Sequence, residues 1–233
     1  MDERLAREPQ AIREMFGVIA PRYDLLNHLL SMRRDVAWRR RLVAALSLAP
    51  KGMVLDLATG TGDVALAVRD RPVVGGDFCL DMLALAQRKA RRSRRAVGWT
   101  AADALALPFA DGSFGAVTIA FGVRNFADLA AGFREIRRVL APSGVLAILE
   151  LHRPRWRAVA AAIGLWNRLV VTPLGNLISP DGGAYAYLPA SVDTFPDRVE
   201  MAAVLADEGF SVVESGDLSG GVAALTVARR RDG

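Results

Sequence analysis

The chain has 233 residues, 52% of them hydrophobic, and a formal charge of +5. One cysteine, Cys79, excludes an intrachain disulfide framework and an all-cysteine metal site, and the two histidines, His28 and His152, lack metal-ligand spacing. The start, Met1-Asp2-Glu3-Arg4, lacks the apolar segment of a signal peptide, and the apolar region 158–178 is interrupted by Asn167, Arg168, Pro173 and Asn176, so it makes a poor membrane span.

Residues 1–10 read as frayed, and 11–48 read as helical. Met15, Phe16, Ile19 and Tyr23 keep helical spacing, Pro21 breaks the run, and Leu25, Leu26, Leu29 and Leu30 resume it. Trp38, Leu42, Ala45 and Leu46 extend it to Pro50. Short apolar runs then alternate with amphipathic segments. Strands are expected at 53–58, 73–77, 97–102, 115–121 and 144–151, and helices at 63–70, 79–93 and 127–140. That order predicts an α/β fold with a mostly parallel sheet and helices on both faces. Ala141-Pro142-Ser143-Gly144 reads as a stop and turn. An insertion at 152–194 carries an apolar helix near 156–172 and a Gly/Pro-rich loop with Tyr185 and Tyr187. A helix near 196–208 precedes runs at 210–218 and 220–229, and Ser219-Gly220-Gly221 between them predicts a hairpin, hence an antiparallel edge. The chain is expected to form one domain, 1–233: a helical extension (1–50), a core (51–151), the insertion, and a C-terminal helix and hairpin (195–233). Arginines cluster at 33–34, 39–41, 88–95 and 153–157. Each cluster reads either as a solvated helix face or as an attractor of anionic surfaces.

In an open parallel sheet, ligands bind beyond the carboxyl ends of the strands. Those ends carry Asp56 to Gly62, Asp77, Asp103-Ala104, Ala120 to Asn125 and Glu150 to His152. Gly60 and Gly62 let backbone approach a ligand closely. Gly60-x-Gly62-x-x-Ala65 with Asp77 also fits a dinucleotide fingerprint. Against that reading, Asp56 stands four residues before Gly60, and an acid there would repel a pyrophosphate while suiting a cationic ligand. S-adenosyl-L-methionine carries an ammonium and a sulfonium, and its ribose hydroxyls need an acceptor such as Asp77.

The turn Asp56-x-Ala58-x-Gly60-x-Gly62 resembles motif I of class I methyltransferases, with Ala58 in place of the first glycine of the commonest form. Ala102-Asp103-Ala104 through Pro108-Phe109, followed by Asp111-Gly112-Ser113-Phe114, is similar to their post-motif. Phe121-Gly122-Val123-Arg124-Asn125-Phe126 resembles a signature of the quinone-biosynthesis C-methyltransferases. Tyr185-x-Tyr187-Leu188-x-x-Ser191-Val192-x-x-Phe195-Pro196 resembles a second signature, and Phe16-x-x-Ile19-Ala20-x-x-Tyr23-Asp24-x-x-Asn27 their N-terminal helix. The resemblance spans about residues 13–229. It implies a Rossmann-like seven-stranded fold and methylation of a polyprenylated quinol, with the short N-terminus favouring demethylmenaquinol over a benzoquinol. By position it implies cofactor contacts at Thr61, Asp77, Asp103 and Ala104. A serine often found in the fourth-strand position is Ala120 here, which removes a side-chain hydrogen bond.

Transfer of a methyl group to a ring carbon needs an electron-rich ring, in-line geometry and loss of a proton. Arg124 is expected to stabilise a developing quinolate, since a guanidinium stays protonated. Asn125 is expected to orient the same oxygen or a water, and Tyr185, Tyr187 and His152 to line the ring pocket. No metal is required, and Cys79 lies beside the ribose acid rather than over the substrate. The expected location is cytoplasmic. Two roles stay open for the 156–178 stretch and the N-terminal helices: core packing, or contact with the tail and the inner face of a membrane. A homo-oligomer or a biosynthetic complex also stays open. RNA is set aside as a substrate, since no Asn/Asp-Pro-Pro-aromatic stretch and no second cysteine occur. The competing readings are a secondary-metabolism methyltransferase on the same scaffold and a catalytically silent cofactor-binding scaffold.

Overall fold

The computed structural model describes residues 9–154, 156–171, 189 and 191–232. The chain opens with α1 (Pro9–Ile19), a 3-10 turn at Ala20–Arg22, α2 (Tyr23–Leu30) and α3 (Arg34–Ala44). The expected long helical region is thus divided, first where Pro21 enters a 3-10 turn and then at Met32 and Arg33, both in the left-handed region.

The strands are β1 (Val54–Leu57), β2 (Val73–Asp77), β3 (Gly98–Ala101), β4 (Phe114–Ala120), β5 (Leu140–Leu151), β6 (Phe210–Leu218) and β7 (Ala223–Arg230). Between them lie α4 (Asp63–Ala67), α5 (Leu80–Arg92), α6 (Leu129–Val139), α7 (Arg157–Trp166) and α8 (Arg198–Asp207). Among the described residues these strands form one sheet in the order β3-β2-β1-β4-β5-β7-β6. The pairs from β3 to β5 are parallel, and β7 runs antiparallel to both β5 and β6. The expected parallel sheet and antiparallel hairpin edge are therefore present. Gly220 and Gly221, at φ 71° and 88°, make the turn into β7.

Several boundaries differ from the sequence reading: the run expected at 220–229 becomes β7 only from Ala223, and the helix expected near 156–172 is α-helical to Trp166 and continues as a π-helix over Asn167–Val171. Helix α4 ends at Ala67, where Val68 turns to an extended conformation. Strand β5 starts at Leu140 rather than at 144, since Leu140 pairs with Phe114 before the register shifts to Ala116 and Val145. The turn residues 141–144 form this irregularity, with Ser143 at φ 56°.

Alternation along β5 shows why both faces are covered. Leu146 and Ile148 join Phe133 and Ile136 of α6 and Met201 and Leu205 of α8. Val145, Ala147 and Leu149 join Trp38 and Leu42 of α3 on the other face. A strand buried on both faces reads as a continuous apolar run, as this one does. Asp128 caps α6 by accepting from the Ala131 N–H, and Asp197 with Glu200 forms a capping box on α8. The topology turns outward on both sides of β1, toward β2 and toward β4. That switch point places the β1 turn at the centre of the carboxyl edge.

Candidate active site

The turn after β1 is held by Asp56. Its carboxyl accepts from the hydroxyls of Thr59 and Thr118 and from the Ala65 N–H, the last two at 2.8 and 3.1 Å. Asp56 is 1% exposed, so its first task is to fold the turn around itself. Burial raises its pKa from 3.8 to about 6, against the pull of the Thr59, Thr118 and Ala65 hydrogen bonds and of the Arg39 charge. A carboxyl raised in this way binds its proton more tightly in the folded state than in the unfolded chain. Its contribution to stability is full below pH 3.8 and is lost as pH rises to about 6. We expect Asp56→Asn to remove that slope, worth about 3 kcal/mol at roughly 1.4 kcal/mol per pKa unit. Urea midpoints of both proteins, measured on either side of this window, check it. Parallel profiles would assign the slope to another group.

Ala58 adopts φ 52°, in the left-handed region where glycine costs least. This explains why a glycine is commoner there, and alanine pays some strain in its place. Gly62 is at φ 85°, and a Cβ on it would lie 2.7 Å from the Trp99 ring. Asp77 ends β2, 5% exposed. It accepts from the Gly60 N–H at 2.7 Å and from the Cys79 N–H at 2.9 Å. Burial raises its pKa too, against the backbone donors at Cys79, Gly60 and Phe78.

Three small cavities adjoin this turn. One is bounded by Asp56, Gly60, Thr61 and Ala120, with Tyr23 and Arg39 closing it. The next contains Gly60, Asp77, Phe78 and Asn125. The third contains Ala102, Asp103, Ala104 and Asn125 beside Ile12 and Phe126. The expected cofactor residues Asp56, Gly60, Thr61, Asp77, Asp103, Ala104 and Ala120 are thus brought together along one edge. Gly62 supports the turn from behind. The sequence reading missed what clamps it. Lys89 of α5 bonds Asp24 of α2 at 2.7 Å and Thr61 at 3.0 Å, and it also bonds Asp63. The Thr61 hydroxyl donates to Asp24. Asp35 ties His28, Ser31 and Arg39 together in the same layer.

A fourth cavity, of about 260 Å³, lies on the other side of Phe121. Leu30, Trp38, Phe121, Leu151, Ile163 and Val222 supply its apolar wall, and Arg124 and His152 are among its polar residues. Phe121 is shared with the Asp77 cavity. Its φ is 61°. Its ring packs edge-on to Trp38 at 6.2 Å, with the Arg39 guanidinium 5.5 Å from its centroid. A left-handed non-glycine at a site needs such over-determination.

Arg124 and Asn125 share one 3-10 turn, Val123–Asn125. The structure divides the expected pair: Arg124 lines the large cavity, while Asn125 lines the two cavities next to Asp77 and Asp103. Successive residues of a 3-10 turn point about 120° apart. Arg124 is held by Glu150, at 2.6 Å from Nη1, and donates to the Phe121 carbonyl at 2.7 Å. Glu150 is fully buried and also accepts from the Arg124 and Leu151 N–H groups. An acid at the end of an otherwise apolar strand was the signal that could have singled it out. Tyr185 and Tyr187 lie outside the described residues. Among the described residues no group of acids, histidines and cysteine could hold a metal ion. No helix among them is long and apolar enough to cross a membrane.

The sequence model of the ubiE/COQ5 methyltransferase family matches residues 4–230. A demethylmenaquinone methyltransferase of Thermus thermophilus is 52% identical over 93% of this chain and 100% of its own. A ubiquinone/menaquinone biosynthesis C-methyltransferase UbiE of Geotalea uraniireducens is 42% identical over 97% and 99%. Among solved structures, the [4+2]-cyclase SpnF superposes with a TM-score of 0.72 at 17% identity, covering 97% of each chain, a likeness of fold.

Proposed function

This chain belongs to the ubiE/COQ5 methyltransferase family, and from that premise we propose that it methylates a ring carbon of a polyprenylated quinol, demethylmenaquinol first among them, in respiratory quinone biosynthesis. The observation that carries the reading is the pair of cavities meeting at Phe121: an acid-lined cradle on one side and an apolar chamber with a buried arginine on the other.

The cradle fits S-adenosyl-L-methionine by the chemistry of its donors and acceptors. Asp77 keeps lone pairs for ribose hydroxyls after accepting two backbone hydrogen bonds. Asp103 and Ala104, beside the apolar Ile12 and Phe126, suit a purine. Asp56, Asp63 and the Arg39 guanidinium line the β1-turn end, charges of both signs that suit the ammonium and the carboxylate of an amino acid. When bound, the cofactor supplies an electrophilic methyl group on sulfonium. This chain's residues bind and orient. Trp38, Phe121 and Leu151 exclude water from an aromatic ring. Arg124, preset by Glu150, stabilises negative charge that develops on the ring oxygen. Asn125 faces the cofactor side and positions the donor rather than the quinol.

The test is turnover by purified protein with labelled cofactor on demethylmenaquinol, a polyprenyl benzoquinol and soluble phenols. The highest kcat/KM is expected for demethylmenaquinol. A preference for the phenols would move the protein to secondary metabolism, and tight cofactor binding with no turnover would make it a scaffold. Asp77→Ala should weaken cofactor binding by about 1.5–3 kcal/mol, the scale of a hydrogen bond to a charged group. Unchanged affinity by calorimetry in a folded variant would remove the ribose from Asp77.

A further inference from the structure

We propose that His152 is the proton acceptor of the methylation, taking the hydroxyl proton of the quinol bound in the Trp38–Phe121 cavity. The assignment rests on the quinol reading above and names the base that it lacks.

His152 follows β5 directly, and its N–H is fixed by the Val222 carbonyl at 3.0 Å. The ring packs against Phe195 at 5.7 Å between centroids, at 62°, so its plane is held by an apolar neighbour. The ring lines the same cavity as Arg124, and no described residue forms a hydrogen bond with either ring nitrogen. The half-buried imidazole therefore has a lone pair open to a ligand in that chamber.

The other acids and bases on that wall are committed elsewhere. Asp35 accepts from Ser31, His28 and Arg39 and is held below the usual carboxylate range. Asp193 pairs with Arg153 at 3.3 Å. The guanidinium of Arg124 stays charged and cannot accept a proton. Burial holds His152 below its ordinary value of 6.5. The charged groups around it are Glu150 on its own strand, Asp217 on β6 and Arg198 and Asp197 at the start of α8. The three acids oppose that shift and Arg198 assists it. The imidazole is therefore neutral near pH 7, the state a general base needs.

The hydroxyl O–H bond breaks, its proton passes to an imidazole nitrogen, and the oxygen's charge is met by Arg124. The ring carbon's electron pair bonds the methyl carbon while the carbon–sulfur bond breaks onto sulfur, leaving a neutral thioether. The ring C–H proton then leaves to water, and its electrons restore the aromatic ring. The imidazolium returns its proton to the oxygen, so one proton is released in all.

His152→Gln keeps a polar side chain of similar length but holds no base. In the full-length protein it should lower the single-turnover rate on demethylmenaquinol by about 10²–10³-fold. The quinol KM and cofactor affinity should stay near wild type. The wild-type rate should fall as pH drops through the histidine titration, and the variant should lose that acid limb. His152→Asn should behave alike and guards against a folding defect peculiar to one substitution. Independently of activity, ring-proton NMR resolves the two histidines of the chain, and the signal lost in His152→Gln should titrate below 6.5. A wild-type-like rate, an acid limb kept in both variants, or a His152 signal still charged at neutral pH would overturn the assignment alone. A wild-type protein that methylates no quinol would overturn the quinol reading, and this base with it.

Discussion

Replacing Arg124 with alanine should lower the single-turnover rate on demethylmenaquinol by about 10²–10³-fold, the loss seen when one oxyanion donor is removed, and should also destabilise the fold. The two effects have separate causes. The rate falls because an interaction that strengthens as the oxygen gains charge acts on the chemical step more than on binding. The stability falls because Glu150, fully buried, loses its partner at 2.6 Å. Removing one member of a buried ion pair costs about 3–5 kcal/mol. Adding Glu150→Gln to Arg124→Ala should recover much of the stability and none of the rate. Arg124→Lys keeps the charge but cannot reach Glu150 and the Phe121 carbonyl with one planar group, so its rate should fall in between. Cofactor affinity should stay close to wild type in all of them. Normal turnover with weakened cofactor binding would place Arg124 in the other half of the site.

Gly60→Val should abolish cofactor binding while leaving the sheet intact. Gly60 sits at φ 55° with its N–H on Asp77, and a β-branched residue there costs on the order of 1–3 kcal/mol in backbone strain. The new side chain would point toward the Tyr23 ring, 3.6 Å from the added Cβ, at a position that lines two of the small cavities. Isothermal titration should find no binding, while circular dichroism keeps the wild-type signal. Retained affinity would put the ligand elsewhere.

The strands were legible because both sheet faces are covered, so Val54–Leu57, Phe114–Ala120 and Val145–Leu149 read as mainly apolar runs, interrupted by the polar side chains of Asp56 and Thr118 alone. The hairpin was legible from Ser219-Gly220-Gly221. The cofactor edge was legible because strand-end acids and glycines lie close together in sequence. What the sequence hid was long-range. Lys89 meets Asp24 across 65 positions, and Glu150 meets Arg124 across 26. No local period marks either pair. The split between Arg124 and Asn125 was hidden for another reason: neighbours in sequence face apart once they enter a 3-10 turn. The apolar chamber draws Trp38 from α3, Phe121 from the end of β4 and Val222 from the hairpin turn, an assembly that only the tertiary fold makes. The start of β5 was read four residues late, because Pro142 and Gly144 look like a stop where the chain makes only an irregularity in the strand.

The central claim is that donor and quinol meet across Phe121. The measurement that addresses it most directly is a crystal structure with S-adenosylhomocysteine and a short-tailed naphthoquinol bound together. The account predicts ribose hydroxyls on Asp77, the purine beside Asp103 and Ala104, and the naphthol ring between Trp38 and Phe121 with an oxygen on Arg124. A naphthol ring seated outside that chamber, or a nucleoside away from the Asp77 edge, would contradict it.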